Sequence, residues 1–238
     1  MPDAKAVEAL LLDPLGFMQN NLVLPGLKGT SNLRWLTLDR VNYDAKTADG
    51  RIIPYYHLVE GKEGPGCFQA FWCDYDNSAT KSVTVDSRAN LMFTAAMNGC
   101  SLGVGSKVQS TGTRLVSHAN CTSIGSLISD LTRDPQKPKN EVMINRVSQQ
   151  LAQTAILRMI HKYDPNLEII APPHYRIDEK ARNQVLHSTT FGVRDWITND
   201  WAFYVQKRGD YGGFDRLVSV MFVAGVRPFA ISSPCIIL

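Results

Sequence analysis

Apolar positions divide the chain into an opening helix, a run of strands, a pair of helices and a second run of strands. The first 20 residues read as a short helix broken near Pro14, with Ala6, Leu10 and Leu11 on one side. Segments 33–38, 51–60 and 67–73 are then rich in aromatic and β-branched residues, and Asp49-Gly50 and Gly64-Pro65-Gly66 supply turns between them. Segments 82–85, 91–97 and 113–118 continue the strand pattern. Thr122 or Ser123 can cap a helix reaching residue 130. Over 139–162, Val142, Met143, Val147, Leu151, Ile156, Met159 and Ile160 recur near helical spacing, which predicts a core-packing helix. Beyond Pro172-Pro173 the strand pattern returns at 189–193, 201–207 and 217–223, the last two flanking the turn-like run 209–213. With no repeat, low-complexity tract or linker, this order predicts one α+β domain over 1–238, its antiparallel or mixed sheets carrying a long helix.

Composition narrows the function. A chain of 238 residues, 44% hydrophobic, can bury a full core without disulfide or metal staples. Lys and Arg number 25 against 22 Asp and Glu, and no block of five like charges occurs, which points away from nucleic acid and toward a protein or small-molecule partner. Cys67, Cys73, Cys100, Cys121 and Cys235 are irregularly spaced, without a CxxC or a His pair at a zinc-finger interval, so no metal site is expected. They read as reduced thiols of a cytosolic chain, with a Cys67–Cys73 disulfide left open. The run Ala9-Leu10-Leu11-Leu12 is cut by Asp13 and Pro14 and has no basic flank or cleavage site, unlike a secretory signal. No stretch approaches the roughly 18 apolar residues of a membrane span. A cytosol is the expected compartment, that of the producing cell or of a target cell reached without a cleavable signal.

The chemistry concentrates in residues 90–120, NLMFTAAMNGCSLGVGSKVQSTGTRLVSHAN. An apolar strand reaches Asn98-Gly99, a strong turn signal, and presents Cys100. Small residues and a polar loop then lead to a strand ending at His118. A turn at Asn98-Gly99 would fold Thr94 back toward Cys100, and backbone amides at such a bend can hold an oxyanion. A cysteine hydrolase needs a thiol nucleophile, an imidazole base and a group that orients the imidazole. Cys100 and His118 supply the first two, and Thr94 or the side chain of Asn120 the third. The same residues also fit a buried small hydrophobe and a hydrogen-bonded structural histidine. Gly103-x-Gly105 lacks both the third glycine of a dinucleotide fingerprint and a Gly-Lys-Ser/Thr, and reads as close packing.

Thr94, a short interval, Gly99-Cys100 and a histidine ending the next strand together resemble the cysteine protein-glutamine deamidase superfamily, which includes the cytotoxic necrotizing factor catalytic domain, Burkholderia lethal factor and the chemoreceptor glutamine deamidase. The likeness covers about 30 residues, with Asn98 standing where a small polar residue often precedes the glycine. It implies a layered fold, a β-sandwich or mixed sheets flanked by helices. It implies conversion of a protein Gln to Glu by Cys100 and His118, with Thr94 orienting or supporting the base and no cofactor. It further implies a bacterial toxin or effector acting on a host protein such as a GTPase or translation factor. A cysteine protease, a transglutaminase and a non-catalytic binding module with a structural Cys100 remain as alternatives.

Other residues carry weaker signals. The terminal Cys235-Ile236-Ile237-Leu238 fits a C-a-a-X prenylation motif but lacks an upstream polybasic run, so membrane association would require lipid on Cys235. His57, His161, His174 and His187 have no partner by spacing and read as structural or surface residues. Trp196, Trp201, Phe203 and Tyr204 read as sheet core, with a substrate groove as the alternative.

Overall fold

The computed structural model describes residues 2–77, 79–121, 138–176, 186–210 and 215–226. Helix α1 (Ala4–Leu12) starts where the Asp3 carboxylate accepts from the Ala6 amide at 3.0 Å. Asp13 ends it and caps α2 (Pro14–Asn20), so Pro14, at the first turn, opens a second helix. Ala6, Val7 and Leu10 are buried, whereas Leu11 is 50% exposed: the inward face runs through Val7 instead. The predicted helix ending at residue 130, the turn residues 211–213 and the tail at Cys235 lie outside the described residues.

Among the described residues, the strands form two sheets. The larger, with ten strands, is ordered β1 (Leu22–Pro25), β5 (Tyr55–Glu60), β2 (Asn32–Arg40), β6 (Phe68–Cys73), β8 (Leu91–Thr94), β12 (Leu186–Asp195), β13 (Asp200–Asp210), β14 (Asp215–Gly225), β3 (Ala45–Thr47) and β4 (Ile52–Ile53). Pairs β1–β5, β6–β8 and β14–β3 are parallel, and the other pairs are antiparallel. Pro54 separates β4 on one edge from β5 beside the other edge, and its carbonyl accepts from the Leu22 amide of β1 at 2.9 Å. The sheet thus curls nearly shut. A proline here fits the break in what the sequence presents as one strand over 51–60.

The smaller sheet is antiparallel, in the order β11 (Glu168–Ile170), β9 (Ser101–Val104), β10 (Arg114–Ala119) and β7 (Thr80–Val85). Its inward residues Val83, Val85, Leu102, Val104, Val116 and Ile170 meet Phe71, Met92, Trp201, Phe203 and Val205 of the larger sheet. The result is an α+β fold of two packed sheets, as the order of elements predicts. The other face of the larger sheet buries α1 and α2 with Leu36, Leu38, Trp72, Phe93 and Phe191. There Gln206 donates to the carbonyls of Met18 and Asn21 and accepts from the Val23 amide, fixing α2 to the sheet.

Helix α3 (Pro138–Ile160) covers the outer face of the smaller sheet, but not with the face its periodicity suggests. Val147, Leu151 and Met159 are exposed, while Gln153, Leu157 and, just past its end, His161 are buried. The sheet offers hydroxyls and glycines on this side, so the polar stripe finds the partners. Ser101 Oγ donates to Gln153 Oε1 at 2.6 Å, and Ser117 Oγ lies 3.1 Å from His161 Nε2. A Cβ at Gly105 would stand 2.8 Å from His161 Nδ1, which confirms the close-packing reading of the small residues.

Candidate active site

Strands β9 and β10 run antiparallel with His118 opposite Leu102 and Ala119 opposite Ser101. Extending that register puts Cys100 opposite Asn120. Side chains two apart share a face, so Cys100, Leu102 and Val104 point into the core between the sheets, as do Val116 and His118. Cys100, one residue before β9, and His118 thus lie near the same end of adjacent strands. Cys100 is 4% and His118 0% exposed, and no hydrogen bond joins the two side chains.

His118 is the unusual member. Neither ring nitrogen has a hydrogen-bond partner, although the residue is fully buried. Burial pushes its pKa down to about 4, with the backbone of Asp74 the one influence in the opposite direction. The Tyr75 ring lies against it, with centroids 6.1 Å apart, and Tyr75 itself is 43% exposed. Cys73 is also close: burial pushes its thiol up to about 12, against a hydrogen bond from the His118 backbone. At neutral pH both groups are uncharged.

The bend before Cys100 is built from three directions. Gly99 has a φ of +96°, which an L side chain rarely adopts. Its carbonyl accepts from Gln153 Nε2 at 2.8 Å, and its amide donates to the Tyr175 hydroxyl at 3.0 Å. That hydroxyl donates in turn to the Cys100 carbonyl at 2.7 Å. Tyr175, on the short helix α4 (Pro172–Arg176), is fully buried, as is Gln153. Sequence reasoning missed both residues. Their signal, a tyrosine after a Pro-Pro pair and a glutamine among helical apolar positions, acquires meaning only once the fold brings them to Gly99.

Several expected roles change. Asn98-Gly99 is not a hairpin reversal: β8 and β9 belong to different sheets, and the chain crosses between them here. Thr94 consequently stays in the larger sheet, beside Cys73, where its Oγ1 accepts from the Thr190 amide at 3.1 Å. Asn120 Oδ1 accepts from Gln149 of α3 at 3.4 Å, which turns it toward the helix. The Gly99 amide serves Tyr175 in place of an oxyanion, and Asn98 is exposed at the crossing.

The remaining residues divide as follows. Cys67, Cys73, Cys100 and Cys121 are free thiols, which removes the Cys67–Cys73 disulfide. Trp201, Phe203 and Tyr204 are core, but Trp196 is 79% exposed at the β12–β13 turn. His161 binds Ser117, and His174 Nδ1 accepts from the Ala171 amide at 2.9 Å. Among the described residues no cluster of three His, Cys, Asp or Glu side chains could hold a metal, and no helix is long and apolar enough to cross a membrane. No protein-family model matches the chain, and no curated protein does.

Proposed function

We propose that the protein is a cysteine hydrolase that deamidates a glutamine side chain of a target protein, with Cys100 as nucleophile and His118 as base. The observation that carries this reading is the His118 imidazole, buried with both nitrogens unpartnered on the face that holds Cys100. Such a group costs stability unless a function retains it.

In this mechanism the Cys100 thiol attacks the carboxamide carbon as His118 takes its proton, since a neutral imidazole with pKa near 4 does not hold a resting ion pair. In this reading the backbone amide of Cys100 and the Asn98 side chain are assigned to the developing oxyanion. Imidazolium, poorly tolerated in the dry site, returns its proton to the departing nitrogen, and ammonia leaves a thioester. Water, deprotonated by His118, then attacks the thioester and restores the thiol, leaving Glu.

Because Cys100 and His118 are buried, the proposed substrate is a slender glutamine side chain and not a peptide bond, whose flanking residues would have to enter the core. A bacterial toxin or effector acting on a host cytosolic protein, such as a GTPase or translation factor, fits this chemistry. The test is incubation with eukaryotic cytosolic proteins in heavy-oxygen water, read by mass spectrometry. Gln-to-Glu conversion with one heavy oxygen, absent with Cys100→Ala, supports deamidation. New amino termini, amine-linked glutamines, or spectra identical with Cys100→Ala would instead indicate a protease, a transglutaminase or a binding module.

A further inference from the structure

We propose that a second cleft, away from Cys100, binds a small amphipathic carboxylate through Lys207 and His174. The cleft, of about 610 Å³, opens where the inner face of β13 and β14 extends past the smaller sheet, between β11 and helix α4. Ile170, Met221 and Val223 give it apolar walls.

Lys207 occupies a position that alternation reserves for an apolar residue. Trp201, Phe203 and Val205 precede it on the inward face of β13 and are all fully buried. A lysine continuing that row has its stem in the core and its ammonium at the cleft. Burial holds its pKa below the ordinary lysine value, and no carboxylate among the described residues pairs with it. An unpaired, partly desolvated ammonium is costly unless an anion meets it.

His174 adds a second donor. Its Nδ1 accepts from the Ala171 amide, so the neutral ring carries its proton on Nε2. Glu168 sets the limit on charge: its Oε1 accepts from the Gly225 amide at 2.8 Å, tying β11 to β14 and placing a carboxylate on the same wall. A dianion such as phosphate would be repelled there, whereas a monoanionic carboxylate with an apolar body matches one ammonium, one imidazole N–H and the aliphatic walls.

The test is titration of the full chain with octanoate, followed by calorimetry, beside 1-octanol as the uncharged control. Saturable octanoate binding is expected, weakened about tenfold or more by loss of the charge-assisted contact in Lys207→Met and retained in Lys207→Arg. Met221→Trp, at a partly exposed position, should block it by filling the cleft, and Cys100→Ala should leave it unchanged, which separates this site from the proposed catalysis. Octanol binding as tight as octanoate, equal affinity in Lys207→Met, survival of binding in Met221→Trp or no saturable binding would overturn the proposal.

Discussion

Burying an imidazole without hydrogen bonds costs free energy that a hydrocarbon of similar size would not, and His118 bears that cost near the end of β10. Its folded-state pKa of about 4 lies below the ordinary 6.5, so the unfolded chain binds the proton more tightly. The stability owed to the neutral ring is intact above pH 6.5 and is lost as pH falls toward 4, by up to about 3 kcal/mol. His118→Phe should therefore be inactive yet more stable than the wild type at pH 5, by about 1–3 kcal/mol, with the gap narrowing above pH 7. Urea unfolding across this range checks it; a His118→Phe variant less stable at pH 5 would contradict the unpartnered ring. Cys100→Ala should abolish activity for about 1–2 kcal/mol of stability, because the thiol fills buried core.

At the scale of elements, two helices grip one bend. Tyr175→Phe leaves the Gly99 amide and Cys100 carbonyl without their shared hydroxyl, and Gln153→Leu removes the grip on the Gly99 carbonyl. Each should cost about 1–3 kcal/mol in thermal or urea unfolding. On a deamidated substrate each should lower kcat while leaving KM nearly unchanged, because the bend positions the nucleophile without touching the bound protein. Most elements were legible in the sequence, since strands such as Phe68–Cys73 and Asp200–Asp210 are long and richly aromatic. Strands Ala45–Thr47, Ser101–Val104 and Glu168–Ile170 were not, because three or four residues carry too short a pattern. The long helix was placed correctly but facing the wrong way. Val147, Leu151 and Met159 form the apolar stripe that periodicity selects, yet serines and glycines on the sheet beneath select Gln153 and His161. That choice rests on a tertiary partner no local pattern contains.

For the molecule as a whole, the two sheets are joined by a buried ion pair at the end of β10 away from His118. Arg114 of the smaller sheet donates to Asp200 of the larger at 2.7 and 3.2 Å, and to the Gly105 carbonyl at 2.9 Å. Burial pushes the Asp200 carboxyl up, but Arg114 and the Trp201 amide outweigh it and hold the group below the usual carboxylate value. Its contribution is therefore present above pH 4 and lost as pH falls further, in a window below that of His118. Asp200→Asn strands the guanidinium and should cost about 3–5 kcal/mol in urea unfolding. That Cys100 and His118 sit at one end of a short antiparallel pair was legible, because β9 and β10 are neighbours in sequence. The place of Thr94 was not, since it depends on which sheet its strand joins.

Alkylation of the folded protein with limiting iodoacetamide, followed thiol by thiol by mass spectrometry from pH 7 to pH 4, tests the Cys100–His118 pair most directly. With a base whose pKa is about 4, Cys100 should be the most reactive thiol and keep its rate as the pH falls, while added N-acetylcysteine in the same tube slows about tenfold per pH unit. His118→Phe should remove that plateau. A Cys100 that is inert, or that tracks N-acetylcysteine across the range, would show an ordinary thiol and contradict the catalytic assignment.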